Sequence, residues 1–250
     1  MNSMEWTIKG IIIKSAVYKE NDAILTCLSR EYGLVSFKAR GVLKVTSKNA
    51  SSCQLYTIGE YHLTGKNEYG HKILTSVDVI KYPSALFDNG HYLALFAFLS
   101  EAILKLELED SNLIEIYDVF NYLLNNINNG YSLLSASLIL FKYLFDFSGL
   151  HLQVDECVNC GNKKNIVGIS YEEGGLVCAK CANSVPNFKE YPIEYLKLFR
   201  YIQKAKIENV FALPLDLHIG LSILKSFFTY FDEAIGISFK SKEILLENCK

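Results

Sequence analysis

No stretch of this 250-residue chain is apolar for long enough to suggest a membrane span. The most apolar segment, Leu133 to Phe147, is broken by Lys142 and followed by Gly149. It falls short of the roughly 20 apolar residues that a bilayer demands and is expected to form a buried central helix. Met1 to Ile8 carry Glu5 and no apolar run, so no secretory leader is expected and the reducing cytoplasm is the expected compartment. Structural disulfides are then not expected. Low-complexity and strongly charged tracts are also missing: half the residues are hydrophobic and 21% are charged, which excludes a disordered chain.

The usual catalytic signatures are missing too. There is no P-loop and no G-x-G-x-x-G for phosphates or dinucleotides. There is no G-x-S-x-G elbow and no H-E-x-x-H zinc helix. The five histidines (His62, His71, His91, His151, His218) are scattered and lack a nucleophile and carboxylate pattern around them. The chain is therefore read as a binding protein and not as an enzyme.

What is present falls into two halves. Residues 5–80 read as short strands with turns between them: Ile8 to Ile13, Ala23 to Arg30, Leu34 to Arg40, Leu55 to Leu63 and Ile73 to Ile80. Five strands at this spacing predict an OB-type barrel, with an SH3-like barrel as the alternative. Beyond Tyr82-Pro83 the period becomes helical: His91 to Leu108, Leu113 to Ile127, Leu133 to Phe147, Tyr191 to Ile207 and Leu215 to Ile235. The expected fold is α+β, with a barrel domain over 1–80, a helical domain over 81–250, and a cysteine insert over 153–184.

Four of the seven cysteines fall within 25 residues: Cys157-Val158-Asn159-Cys160, seventeen residues, then Cys178-Ala179-Lys180-Cys181. Two intervening residues let a tight turn aim both thiolates at one metal, and the long spacer folds back to bring the second pair. Gly161 suits a turn with positive φ, and Gly174-Gly175 the tip of a connecting hairpin. Four thiolates leave no open coordination position, so the expected Zn2+ is structural. A zinc deaminase would need H-x-E and P-C-x-x-C; the first is missing, and Val177 precedes Cys178. His151 is a possible substitute ligand. Cys27, Cys53 and Cys249 are expected to pack as small apolar residues.

Charge is uneven. Residues 1–80 hold ten Lys/Arg against seven Asp/Glu, whereas the remainder holds fifteen against twenty. No carboxylate lies between Glu31 and Glu60, an interval containing Lys38, Arg40, Lys44 and Lys48. On a strand, Ser36, Lys38 and Arg40 share one face, and Val35, Phe37 and Ala39 the other. Such a face, extended by Lys44 and Lys48 in the following loop, suits phosphates. Tyr32, Tyr56 and Tyr61 are candidates for stacking on bases, with Tyr56 better suited to packing. The bland alternative is a solvated strand face.

Gly10-Ile11-Ile12-Ile13, the stretch Tyr32-Gly33-Leu34-Val35-Ser36-Phe37-Lys38-Ala39-Arg40-Gly41, and a C-x2-C…C-x2-C insert among helices together resemble the bacterial RecO family of recombination mediators. The resemblance covers essentially the whole chain. It implies an OB-fold that binds single- and double-stranded DNA, strand annealing, and a structural zinc. It also implies cooperation with RecR to load recombinase onto strands coated by single-strand-binding protein, in the nucleoid region of the cytoplasm. The family's loop after the third strand is usually rich in arginine; here residues 42–48 offer only Lys44 and Lys48, point charges without arginine's fork. Docking of the acidic tail of single-strand-binding protein would need a cationic rim on the helical half, for which Lys197, Arg200 and Lys204 share a helix face. The rival reading is a zinc-ribbon module of transcription or translation that contacts RNA or protein.

Overall fold

A computed structural model of the chain describes residues 4–67 and 70–250. Two compact units emerge, one comprising residues 1–90 and 107–128, the other 91–106 and 129–250.

The first unit is built on a closed barrel of β1 (Met4–Val17), β2 (Ala23–Ser29), β3 (Gly33–Ala39), β4 (Ile58–Gly65) and β5 (Lys72–Lys81), in the order β1-β2-β3-β5-β4. This is the expected OB-type arrangement. Neighbours run antiparallel except β3 and β5, which close the barrel in parallel through Phe37↔Lys72 and Lys38↔Ile73. Strand β1 is longer than its apolar run suggested, because it pairs with β2 along its second half and with β4 along its first. A bulge between Ile12 and Lys14 lets it serve both neighbours. The two pairings overlap at Gly10 and Ile11, and from there to Ile13 every residue is buried. Gly10 permits the close approach of β2: a Cβ there would stand 2.4 Å from Cys27 Sγ and 2.5 Å from the Leu28 carbonyl oxygen.

Ile8, Ile12, Leu25, Cys27, Phe37, Tyr61 and Leu63 fill the barrel. Strand β4 starts at Ile58 and not at Leu55, since Tyr56 adopts φ 69° and turns the chain before the pairing begins. Helices α1 (Ser84–Asp88) and α3 (Asp110–Asn125) belong to the barrel's unit. The expected boundary at residue 80 placed α3 with the helical half. Its buried residues, among them Leu113, Ile116 and Phe120, give it one apolar face, and Phe120 meets Tyr56 at 6.0 Å between ring centroids.

The second unit is helical around α4 (Leu133–Phe147), as its all-round apolar sequence predicts. Ser132 caps it by accepting the Ser135 N–H. It packs against α2 (Tyr92–Lys105), α5 (Ile193–Lys204) and α6 (Leu217–Ile235), and an aromatic cluster fills the space between, with Phe141 and Phe228 edge to face at 4.6 Å. Helix α7 (Lys242–Asn248) is held at its start by Glu101 of α2, whose carboxylate accepts the backbone N–H groups of Lys240 and Ser241, each at 2.9 Å. No helix is long and apolar enough to cross a membrane among the described residues. Between α4 and α5 lies the insert, with β6 (Ile166–Ser170), β7 (Gly175–Cys178) and β8 (Lys189–Glu190) forming a small sheet in the order β7-β6-β8.

Candidate metal centre and nucleic-acid interface

The insert brings its four cysteines together. The Sγ atoms of Cys157, Cys160, Cys178 and Cys181 all lie within 4.8 Å of one another, and Cys160 and Cys178 are 3.7 Å apart. Each pair sits on a tight turn. Gly161 donates its N–H to the Cys157 carbonyl at 2.8 Å with φ 70°, and Cys181 donates to the Cys178 carbonyl at 2.9 Å. The turns are tied by Ala179 N–H donating to the Asn165 carbonyl at 2.9 Å. Val177, Val185, Ile166 and Phe188 pack around the sulfurs, leaving only Cys160 exposed. Burial opposes ionisation of the Cys157 thiol, but backbone N–H groups of Cys178, Asn159 and Cys160 outweigh it and bring the thiol down to about 6. Cys178 is lowered in the same way, against its own burial, by hydrogen bonds led by the Cys181 N–H. This donor set can hold a metal ion. His151 is not part of it: the ring is exposed and its Nδ1 meets Asp146 Oδ1 at 3.1 Å. Cys27, Cys53 and Cys249 are buried apart, and burial raises each of their thiols.

On the barrel, β3 alternates as expected: Phe37 and Ala39 are buried, Ser36 and Arg40 exposed, Lys38 half-buried. The register Val17↔Ala23↔Ala39 places the ends of β1, β2 and β3 side by side. Arg40 and the loop carrying Lys44 and Lys48 follow from this end, and all three cations are exposed. Leu43 N–H donates to the Asn21 carbonyl at 3.0 Å, which holds the loop against the β1–β2 turn.

Two expectations need correction. Lys38 is not a free cation: its Nζ lies 2.8 Å from Asp22 Oδ2 and 4.7 Å from the centre of the Tyr18 ring. Asp22 also accepts the Gly41 N–H at 2.8 Å, and these two donors, Lys38 foremost, lower its carboxyl. Nor does Tyr32 stand beside the cations. It is exposed but precedes β3, whereas Arg40 follows it, so the two are separated by roughly 25 Å of strand. Tyr56 and Tyr61 are buried; Tyr61 donates its hydroxyl to the Thr57 carbonyl at 3.0 Å, and neither offers a ring to a base. Ser36 shares a hydrogen bond with Thr26 at 3.1 Å.

The aromatic at the cationic end is Tyr18, half-exposed and flanked by Lys38 and by Lys19, whose Nζ is 5.7 Å from the ring centre. Sequence reasoning passed over it. The available signal was an aromatic-lysine pair just past an apolar strand and before the Asn21-Asp22 turn. Val17 and Val45, both exposed, add apolar surface to the same end.

On α5, Lys197, Arg200 and Lys204 line a shallow groove of about 310 Å³ with Tyr201 and Asn209. Two of the three are engaged by the insert. Arg200 donates to Asp155 Oδ1 at 2.7 Å and to the Val154 carbonyl at 3.0 Å, and Lys204 reaches the same Asp155 oxygen at 2.5 Å. Lys204 first, then Arg200, lowers the Asp155 carboxyl. Their evident work is to clasp the insert to α5. Lys197 is exposed and has no ion pair among the described residues.

Two family models together cover most of the chain. The one described as "Recombination protein O N terminal" matches residues 1–83, and "Recombination protein O C terminal" matches residues 88–243. Among curated relatives, the protein named DNA repair protein RecO from Listeria monocytogenes serotype 4b (strain CLIP80459) is 27% identical over 242 residues, covering 96% of this chain and 93% of the relative. The protein of the same name from Mesoplasma florum is 28% identical over 246 residues, covering 96% and 91%. That from Halalkalibacterium halodurans is 22% identical over 237 residues, covering 95% and 92%.

Proposed function

Because the chain belongs to the recombination protein O family, we propose that it is a DNA-repair mediator that binds single- and double-stranded DNA through its barrel and promotes strand annealing without itself making or breaking bonds. The observation that carries this reading is the barrel end where Arg40, Lys44 and Lys48 stand exposed beside Lys19, Lys38 and the half-exposed Tyr18. Cations there neutralise phosphates without reading sequence, and the Tyr18 ring supplies a face for a base. Two complementary strands repel each other through their phosphates; a protein that neutralises one lowers that barrier to pairing. RecR and the tail of single-strand-binding protein are the protein partners of the same reading, and recombinase loading its outcome. Lys197 is the best-placed cation of the α5 groove for such a tail, since Arg200 and Lys204 are already paired.

The cysteine centre takes Zn2+ in this reading. A tetrahedron of sulfurs about 2.3 Å from zinc has edges of about 3.8 Å, so the Cys160–Cys178 separation of 3.7 Å fits. The metal supplies charge compensation for the thiolates and a cross-link between the two turns. Cys157, Cys160, Cys178 and Cys181 fill all four positions, which makes the site structural.

The test is annealing of complementary oligonucleotides coated with single-strand-binding protein. Acceleration by this protein, lost when Arg40, Lys44 and Lys48 are all replaced by Ala, supports the reading. A chain that prefers structured RNA and accelerates nothing would be the zinc-ribbon alternative instead.

A further inference from the structure

At the end of the barrel opposite Arg40, a cleft of about 580 Å³ opens between the barrel rim and α3. Lys9 of β1, Arg30 after β2 and Lys81 of β5 line it, together with Tyr117, Asn121 and Asn125 of α3. The register explains the convergence: Gly10 pairs with Ser29 and Ile58 with Lys81, so the residues just beyond these pairs meet at one rim.

The hydrogen bonds leave this cleft with donors to spare. Arg30 spends one edge of its guanidinium on Asp118, Nε at 2.9 Å and Nη2 at 3.2 Å, which neutralises that carboxylate. Lys81 donates to Asn125 Oδ1 at 2.7 Å, a neutral acceptor, so its charge stays uncompensated. Asn125 in turn donates to Asn121 Oδ1 at 2.9 Å and to the Asn121 carbonyl at 2.8 Å. That fixes the Asn121 amide with its oxygen occupied and its nitrogen available. Lys9 is exposed and forms no ion pair among the described residues. Two carboxylates line the cleft, Asp118, already matched by Arg30, and Glu31, which leaves Lys9 and Lys81 as the lining cations outside any ion pair among the described residues.

We propose that this cleft binds a nucleic-acid strand, distinct from the one held at the opposite end, through a phosphodiester on Lys9 and Lys81 and a base placed against Ile80 and Asn121. The volume is within the range of small-ligand sites and accommodates a nucleotide. Ile80 is half-exposed on the lining and gives a base an apolar surface, while the Asn121 amide can reach a base edge. An acidic peptide could meet the same two lysines, and capture of a second oligonucleotide, which a peptide site would not give, separates the two. The two sites sit at opposite ends of β2, about 20 Å apart, so one barrel would present two strands to each other. This inference rests on the DNA-binding reading above.

The experiment immobilises dT15, loads it with the full chain, and measures capture of a second, fluorescent dT15. The wild-type complex should capture the second strand. Lys9→Glu with Lys81→Glu should lower capture at least tenfold while leaving affinity for the immobilised strand within twofold. Glu31→Gln should raise capture about twofold, a gain that no folding defect can mimic. Unchanged capture in the double variant overturns the proposal. So does an equal fall in both measurements, which would mean one continuous strand path. A wild-type chain that loads onto dT15 but captures nothing removes the cleft alone; one that binds no dT15 at all removes the DNA-binding reading with it.

Discussion

If Arg40, Lys44 and Lys48 grip phosphates, removing them must change how binding responds to salt and not merely its strength. All three are exposed and none forms an ion pair among the described residues, so each is free to displace a condensed counterion. For single strands each neutralised phosphate contributes about 0.7 to the slope of log K against log salt, so the triple Ala variant should be flatter by about 2. Between about 50 and about 200 mM salt the wild type should then lose about 1.3 log units more affinity than the variant. Lys38 supplies the internal control. Its charge is already matched by Asp22 at 2.8 Å, so the pair acts as a neutral unit. Replacing both together, Lys38→Met with Asp22→Asn, keeps the net charge and the acceptor for the Gly41 N–H, and should leave the slope unchanged. Fluorescence anisotropy of labelled dT15 across a salt series measures both. A triple variant with the wild-type slope would refute the argument, and so would a neutral double variant that flattens it.

Stripping the metal with a chelator, or Cys178→Ser, should unfold the insert; hydrogen exchange over residues 157–190 should rise sharply, and intact protein should carry one zinc per chain by elemental analysis. Glu101 is held down to about 2: burial opposes its ionisation, but hydrogen bonds from Lys105, Ser241 and Lys240 outweigh it. Because the folded value lies below the unfolded one, its stabilisation is full above about pH 4.5 and is lost as pH falls toward 2; Glu101→Gln should cost about 2–3 kcal/mol at pH 7 and flatten the acid limb of stability, read by denaturant titrations at several pH values. Gly10→Ala should destabilise by about 3 kcal/mol through overpacking, seen as a lower denaturation midpoint, because its Cβ would press on the Leu28 carbonyl, which cannot move aside.

The barrel and the central helix were legible because their signals are local. Alternation on β3 and the all-round apolarity of α4 follow from side-chain periodicity alone. The cysteine centre was legible because two short turns fix most of its geometry. What escaped depends on contacts between distant segments. That Asp22 neutralises Lys38, that Asp155 occupies Arg200 and Lys204, and that α3 joins the barrel's unit are consequences of register and packing. Tyr32 and Arg40 are near in sequence and far apart in space because the strand between them is extended, whereas Tyr18 comes close to Lys38 through a hairpin pairing that no short motif announces.

Among the described residues the parallel closure of β3 with β5 rests on two residue pairs, and one of them contains Lys38. A cylinder joined so briefly along one line has its lowest resistance to splitting there, and the residue at that line also leans on Asp22 and Tyr18 across the neighbouring hairpin. An anionic polymer held by Arg40 and stacked on Tyr18, whose ring Lys38 lies over, would therefore work as a clasp on the joint. Its arrival would slow amide exchange at Phe37, Lys38, Lys72 and Ile73 more than anywhere else in the wall, so that the ligand finishes the container it is held by.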